Sequence, residues 1–232
     1  EIYRFNTKKI EEYLNQSIEL LKKNPSEILI PIMKKNEAWL SFYRGEWPKA
    51  KQLFEEAEKS AGEIQNNQNL METLLGKAWL NLNFYGTNAS LKILSNIENY
   101  SKDTEDYYLQ IWSTYHSGMI FLEQYQVEKA KEYFQKLESI AKKRGSDREA
   151  GYSILGMAFC SLYSGESSEI VEKMAQKSLE IGNNFGESFL SAQSYYLMAC
   201  IHEKDQKLGK AKEYLDYSKE GYINLGLKWM AN

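Results

Sequence analysis

The sequence predicts an all-α protein of the α-solenoid class, in which antiparallel helix pairs stack into a right-handed superhelix. Three observations carry this prediction: a repeat of about 40 residues, a two-helix apolar pattern inside each repeat, and a composition rich in helix formers with only three prolines in 232 residues. We expect a single domain of about five units, at 26–66, 67–106, 107–146, 147–187 and 188–226.

The repeat is defined by three columns of residues in fixed register. The first column holds small residues: Ala38, Ala78, Gly118, Ala158 and Ala199. The second column follows twelve residues later: Ala50, Ser90, Ala130, Ile170 and Ala211. Four residues further on, the third column is always apolar: Phe54, Leu94, Phe134, Met174 and Leu215. Three columns in register over five units indicate a repeat array.

The first helix of each unit is recognised by apolar residues at i, i+4 and i+7, as in Leu75, Trp79 and Leu82. A short turn follows, and in three units it holds a glycine: Gly45, Gly86 and Gly165. In the other two units its place is taken by Tyr125–Gln126 and Gln206–Lys207. The pattern therefore predicts a helix hairpin with a tight turn.

The second helix of each unit is amphipathic, as in KAKQLFEEAEKSA at 49–61. Three of these helices are followed by glycines suited to a left-handed C-cap: Gly145, Gly186 and Gly226. Small residues at facing points let the two helices approach closely, and the large residue one turn later fills the seam between units. One hairpin cannot bury its own apolar stripe, so the units must stack on their neighbours.

The two ends of the chain fit parts of further units. Residues 7–23 match the second helix of a preceding unit, with Ile10 and Leu14 in register, so 1–25 is predicted to be a partial unit. Residues 227–232 match the start of another first helix. Because the chain also starts at Glu1 without an initiator methionine, we expect a fragment of a larger protein.

Composition argues against several classes of partner. The net charge of −3 offers no bulk attraction to nucleic acid or to an anionic membrane surface. No apolar run approaches the roughly 20 residues that span a bilayer. Two cysteines, Cys160 and Cys200, are too few for a disulfide framework, so the reduced cytoplasm is the expected compartment.

The sequence offers little that would carry chemistry. None of the fourteen glycines forms a phosphate-binding GxxxxGK or GxGxxG motif. His116 and His202 lie in different units, and neither has the histidine or cysteine companion that a zinc site needs. We therefore expect no enzyme activity, no cofactor and no metal.

The spacing from Gly45 to Ala50, Phe54 and Ala57, with Ala38 upstream, resembles the tetratricopeptide repeat (TPR) signature. The other four units match it in part, and the resemblance covers nearly the whole chain. The unit of about 40 residues departs from the common one of about 34 residues.

Longer units that close on phrases such as KRG at 143–145 and NFG at 184–186 resemble the superhelical sensor domains of large bacterial signalling ATPases. The maltose-regulon activator is one example. This resemblance implies a sensor module that works by changes in superhelix curvature.

In tetratricopeptide arrays the first helices line a concave groove that accepts an extended peptide or a helix. Carried over by register, the resemblance implies these groove residues: Trp39, Tyr43, Trp79, Asn83, Tyr115, Met119, Glu123, Phe159, Tyr163 and Lys204. Trp39 and Trp79 are the expected anchors, because aromatic rings give a large contact area at low entropic cost. The polar column that contains Tyr43, Asn83 and Glu123 is expected to form a solvent-facing wall.

Ordinary packing is the alternative for the apolar columns of the first helices. An aromatic ladder in a solenoid also serves as core between neighbouring units. The sequence leaves the choice between core and groove open for Trp39, Trp79 and Phe159.

Three hypotheses for function follow. The leading one is a non-catalytic protein- or peptide-binding sensor or interaction module of a larger bacterial signalling or regulatory protein. The second is a constitutive scaffold that holds partner proteins. The third is a cytoplasmic receptor for a short signalling peptide that controls a transcription regulator.

Overall fold

A computed structural model of the chain describes residues 7–23, 26–84 and 86–231. Within these ranges the chain forms eleven α-helices and one short 3-10 helix, and no β-strand. The helices are α1 (Thr7–Lys23), α2 (Leu29–Tyr43), α3 (Trp47–Glu63), α4 (Asn67–Phe84), α5 (Thr87–Asp103), α6 (Tyr107–Glu123), α7 (Val127–Arg144), α8 (Asp147–Tyr163), α9 (Ser168–Phe185), α10 (Ser188–Lys204) and α11 (Leu208–Asn224), and the 3-10 helix is Lys228–Ala231. The predicted all-α class is confirmed.

The helices after α1 pack as consecutive pairs, and each of the five predicted ranges contains one pair. Residues 7–23 form α1, which packs on α2. Whether α1 closes a preceding unit stays a prediction.

Left-handed residues mark the turns at fixed repeat positions. Inside the units they are Gly45, Tyr125, Gly165 and Gln206, with φ of 77°, 58°, 79° and 59°. After the second helices they are Gln65, Glu105, Gly145, Gly186 and Gly226, with φ of 55°, 54°, 65°, 67° and 80°. The left-handed C-caps predicted at Gly145 and Gly186 are confirmed. In the turn after α6, Tyr125 takes the place of the glycine and adopts the same left-handed backbone conformation.

Aromatic rings fill the seams where helices come close. The Phe134 ring of α7 lies against Gly118 of α6 and Gly156 of α8, and a Cβ at either glycine would overlap it. In the same way the Phe54 ring of α3 lies against Gly76 of α4. In these two units the third-column residue therefore fills the seam between helices, as predicted.

The predicted register is wrong by one residue in α9. Ile170 is 49% exposed, whereas its neighbour Val171 is fully buried, and Ala175 is buried in the place expected for Met174. The turn after Gly165 contains one extra residue, which moves the buried stripe of α9 along by one position. Leu215 keeps the register and is 48% exposed, since no later hairpin among the described residues packs over it.

The contacts divide the chain into two compact units. The N-terminal unit holds the described residues up to Leu109 together with the segment Gly226–Trp229. The C-terminal unit holds Gln110–Leu225 and residues 230–231. A single domain for the whole chain stays a prediction. None of the helices in the described ranges is long and apolar enough to cross a membrane.

First helices lie side by side within each unit. In the N-terminal unit α2 contacts α4 directly, and in the C-terminal unit α8 contacts α10. Side chains from the first helices of different repeats therefore meet on one face of each unit.

Candidate functional site

Three tyrosine rings form an exposed surface of the C-terminal unit, which we call the tyrosine face: Tyr125, Tyr163 and Tyr196. Tyr125 follows α6, Tyr163 is the last residue of α8, and Tyr196 lies within α10. Their exposed fractions are 78%, 52% and 46%. Three successive repeats thus each contribute one exposed aromatic ring.

Ring contacts and a hydrogen bond connect the members of this face to their neighbours. The rings of Tyr125 and Tyr163 meet edge to face with their centroids 5.9 Å apart. The ring of Tyr196 lies 6.5 Å from that of Phe159, and a side-chain hydrogen bond links Tyr196 to Cys200. Tyr163 also interacts electrostatically with Tyr196 and Cys200, so the three tyrosines form one connected surface.

At Tyr163, Tyr196 and two of their neighbours, Cys200 and Glu123, the pKa is raised, which favours the protonated form. The neighbouring Cys200 thiol, together with burial, raises the pKa of Tyr196 to about 12. Burial also raises the pKa of Tyr163 and of the Cys200 thiol, and partial desolvation raises the pKa of Glu123. At neutral pH the phenols of Tyr163 and Tyr196 are thus uncharged, and each can donate and accept a hydrogen bond.

Tyr163 belongs to the face, and three further predicted groove residues of this unit lie beside it or beside the turn that follows Tyr163: Phe159, Glu123 and Lys204. Phe159 is 8% exposed, and its ring packs against the ring of Tyr196. Met119 is half-buried. Glu123 is exposed near Tyr163. Lys204 is exposed, and its Nζ donates to the Glu166 carbonyl oxygen at 3.3 Å.

Tyr115, which was also predicted to line the groove, is buried instead. It is 2% exposed and its hydroxyl donates to Gln193 Oε1 at 2.6 Å. Its ring packs against Trp112 and Tyr152, with centroid distances of 5.8 and 5.3 Å. Tyr196 holds the same register position three residues before a small residue, yet it is exposed. Register alone does not decide which of the two faces solvent.

The predicted groove residues of the N-terminal unit form an aromatic cluster. The Trp39 ring stacks on Tyr43 at 5.7 Å and meets Trp79 at 5.4 Å. Phe42 lies 5.3 Å from Trp79 and is fully buried. Trp79 is 9% exposed and Tyr43 only 1%, so the expectation that Tyr43 forms a solvent-facing wall is wrong. The neighbouring rings enclose its phenol.

Asn83 is exposed as expected, but its amide bonds to its own helix. Its Nδ2 donates to the Trp79 carbonyl oxygen at 2.7 Å. A ligand would have to compete with this local bond or use the Asn83 carbonyl oxygen.

The two histidines and the Cys160 thiol, which were considered above as candidates for chemistry, are buried. Burial lowers the pKa of His116 to about 3 and raises that of the Cys160 thiol to about 11. His202 is 2% exposed and stacks on the Tyr214 ring at 5.2 Å. Within the described ranges no group of three or more His, Cys, Asp or Glu residues is placed to hold a metal ion.

Sequence reasoning missed two members of the tyrosine face, Tyr125 and Tyr196. Tyr196 holds the repeat position of Tyr115, and that shared register was the signal that could have found it. Tyr125 was assigned only to the turn, although a bulky aromatic residue at a glycine position was itself a signal. Trp229, which packs into the N-terminal unit as described below, had no signal, because its partners are distant in sequence.

Neither a protein-family model nor a curated protein matches the sequence. Among solved structures the chain is similar to a Rap protein complexed with competence and sporulation factor, at 16% identity and a TM-score of 0.76. That match covers 93% of this chain, which spans 59% of the length of the Rap chain. BtubC (BKLC) from P. vanneervenii is similar at 15% identity and a TM-score of 0.62, covering 96% of this chain and 92% of that chain.

These similarities concern the fold. Helices in consecutive pairs, together with the likeness to the Rap structure, show an all-α helical repeat fold of the α-solenoid class.

Proposed function

We propose that the chain is a non-catalytic peptide-binding module of a larger signalling or regulatory protein, and that the tyrosine face receives the peptide. The observation that carries the proposal is the exposure of one aromatic ring on each of three successive repeats. Exposed aromatic surface of this kind is typical of protein interaction sites, where tyrosine and tryptophan are the commonest anchors.

The backbone at Tyr125 supports a binding role for its side chain. Tyr125 has a φ of 58°. At the same repeat position Gly45 and Gly165 have φ of 77° and 79°, and the polar residue Gln206 has a φ of 59°. The position therefore accepts a side chain, and Tyr125 differs in placing a large exposed ring there. A side chain in this region destabilises the fold by about 1–2 kcal/mol relative to glycine. The ring is 78% exposed, so its contacts with the rest of the protein offset little of this destabilisation. A ligand that covers the ring would explain why tyrosine stands here.

The chemistry of the face suits an extended peptide with apolar side chains. Edge-to-face rings such as Tyr125 and Tyr163 leave clefts for aliphatic or aromatic side chains, and neutral phenols bond to backbone amides and carbonyls. Glu123 and Lys204 add one charge of each sign at the edge. No strong net charge is therefore needed in the peptide.

The solved Rap structure supports a receptor over a constitutive scaffold. That protein shares the helical repeat fold and was complexed with competence and sporulation factor. We propose by analogy that this chain reads a short signalling peptide and passes the signal to a regulator, as a sensor domain of a signalling ATPase would also do. The free thiols Cys160 and Cys200 suit a cytoplasmic location.

Peptide selection tests the proposal. A displayed random peptide library is panned on the protein, and the affinity of the selected peptides is measured by calorimetry for the wild type, Tyr163→Ala and Tyr125→Gly. Each variant removes a ring without removing a buried contact, and glycine keeps the left-handed turn. We expect each to weaken binding about tenfold or more.

Tyr217→Ala is the matched control. Tyr217 is 45% exposed on α11, a second helix of the same unit, so its loss leaves binding unchanged. Equal affinities for all variants, or a selection that yields no binder, would contradict the proposal.

A further inference from the structure

A second aromatic site lies in the N-terminal unit, and it holds a side chain from a distant part of the sequence. Three rings contact the indole of Trp229: Phe42 at 5.3 Å, Phe84 at 5.3 Å and Trp47 at 6.1 Å between centroids. Gly45 completes the wall, since a Cβ built there would lie 3.8 Å from Trp229 Cδ1. We call the site formed by Phe42, Trp47 and Phe84 the indole pocket.

The walls of the indole pocket come from three helices and hold one another in place. Phe42 is in α2, Trp47 is the first residue of α3, and Phe84 is the last residue of α4. Trp47 and Phe84 stack with centroids 4.1 Å apart and an interplanar angle of 28°. Phe42 also contacts Trp79 at 5.3 Å. None of these contacts involves Trp229, so the walls also pack on one another independently of the ring that they hold.

The segment that fills the pocket is short. The 3-10 helix Lys228–Ala231 has four residues, too few to be stable without tertiary contacts. Leu227, which is fully buried, and the Trp229 ring attach it to the unit. Such a segment can leave the pocket without unfolding any α-helix.

Trp229 fills the pocket with its ring, but two indole N–H groups at the site remain without hydrogen-bond acceptors among the described residues. The indole Nε1 atoms of Trp47 and Trp229 are both buried, and neither has an acceptor in the described part of the chain. A buried donor without a partner is costly compared with one that is paired. The pocket therefore matches the shape of an aromatic ring and leaves a donor from its own wall unused.

We infer that the indole pocket is a recognition site for a tryptophan-bearing peptide of a partner, and that Trp229 is an internal occupant that competes with it. The preferred ligand places a hydrogen-bond acceptor, such as a backbone carbonyl, beside its indole, where the Trp47 N–H can donate to it. Trp229 supplies the ring but not the acceptor. The inference is independent of peptide binding at the tyrosine face, because the two sites share no residue.

An internal occupant lowers the apparent affinity of an external ligand by the fraction of molecules whose pocket is open. A tethered side chain acts at a high effective concentration, so occupancy of about 90–99% is reached with weak intrinsic binding. Removal of the Trp229 ring should then strengthen external binding by about 10- to 100-fold.

The test measures binding of N-acetyl-L-tryptophanamide and of 3-methylindole by ligand-observed NMR. The proteins are the wild-type chain, Trp229→Ala, and the double variant Trp229→Ala/Phe84→Ala, with circular dichroism to confirm the helical fold. We expect Trp229→Ala to bind N-acetyl-L-tryptophanamide at least tenfold more tightly than the wild type. The double variant should lose this gain because a wall of the pocket is missing.

The two ligands separate ring recognition from hydrogen bonding. N-acetyl-L-tryptophanamide carries carbonyl acceptors and 3-methylindole carries none, so a twofold to tenfold preference for the former is expected at one added hydrogen bond. Tyr217→Ala, which removes an exposed ring elsewhere, should bind like the wild type. If folded Trp229→Ala binds no better than the wild type, or the double variant binds as well as the single one, the inference is wrong. A gain that appears only with self-association of Trp229→Ala would likewise contradict it, since the pocket would then accept a second copy of this chain.

Discussion

Tyr43 and Tyr163 are the same residue at the same position of the repeat, and they have opposite environments. Each is the last residue of a first helix, α2 in the N-terminal unit and α8 in the C-terminal unit. Tyr43 is 1% exposed and Tyr163 is 52% exposed. The repeat thus sets where the backbone is placed, and the neighbouring side chains decide whether a residue is core or surface.

The size of the neighbours explains the difference. Four residues before Tyr43 stands Trp39, and the next repeat contributes Trp79, so large rings meet around the phenol. The corresponding neighbours of Tyr163 are Phe159 and Cys200, which are smaller and leave its ring open. Both tyrosines were predicted to line the groove; Tyr163 is exposed, whereas Tyr43 is core.

Truncation of the two tyrosines should have the largest and most unequal effects. Tyr43→Ala leaves a cavity among packed rings, and we expect the free energy of unfolding to fall by about 3–5 kcal/mol. Tyr163→Ala removes a half-exposed ring, and we expect a change within about 0.5–1 kcal/mol. Urea unfolding followed by circular dichroism measures both. Similar losses for the two variants would remove the distinction between the units.

The seams should behave alike in both units, in contrast to the first-helix faces. Gly76 and Gly156 hold the same repeat position, and a Cβ at either one overlaps the ring of Phe54 or Phe134. We expect Gly76→Ala and Gly156→Ala each to destabilise the fold by about 1–3 kcal/mol in urea unfolding, because the seam is overpacked.

Two other helical glycines serve as controls for the seam variants, one from each unit. Nothing lies within 4 Å of a Cβ built at Gly62 or Gly209. Gly62→Ala and Gly209→Ala should therefore be neutral or stabilise by about 0.5–1 kcal/mol, since alanine favours helix. A loss at these positions equal to that at the seams would show that ring contact is not the cause.

Lowering the pH should reduce the free energy of unfolding, because His116 is buried in its neutral form. His116 is 5% exposed, and burial lowers its pKa from 6.5 to about 3. The unfolded chain therefore takes up a proton below about pH 6.5 that the folded chain does not, and stability falls with decreasing pH by up to about 1.4 kcal/mol per unit. His116→Phe lacks this contribution. Between pH 7 and pH 5 the stability difference between variant and wild type should change by about 2 kcal/mol in favour of the variant. Parallel profiles would show that the buried imidazole does not resist protonation.

The repeat and its helices were predictable because they rest on local signals. Small residues such as Ala38, glycines such as Gly145 and the period of about 40 residues depend on spacing along the chain alone. The slip in α9 followed from a single extra residue in a turn, where Ile170 and Val171 are equally apolar and periodicity could not separate them.

The candidate site was less predictable because exposure depends on neighbours from other repeats. Register selected four residues that lie in or beside the tyrosine face: Glu123, Phe159, Tyr163 and Lys204. Met119 was selected by the same rule and is half-buried. Tyr43 and Tyr115 were selected by the same rule and are buried. A one-dimensional pattern identifies which residues point towards the first-helix face. It does not show how completely the rings of Trp39 or Tyr152 cover them.

The central claim is that the signalling peptide binds the tyrosine face and not the buried tyrosines; the indole pocket is a separate site with a different, tryptophan-bearing ligand. The most direct measurement is an NMR titration of protein labelled with ¹³C at the tyrosine rings, using a peptide from the library selection, with resonances assigned by single Tyr→Phe variants. The account predicts that the ring resonances of Tyr125, Tyr163 and Tyr196 shift on binding, while those of Tyr43, Tyr115 and Tyr152 stay in place. If the peptide binds and the shifts fall on the buried three, or on none of the six, the tyrosine face is not the binding site.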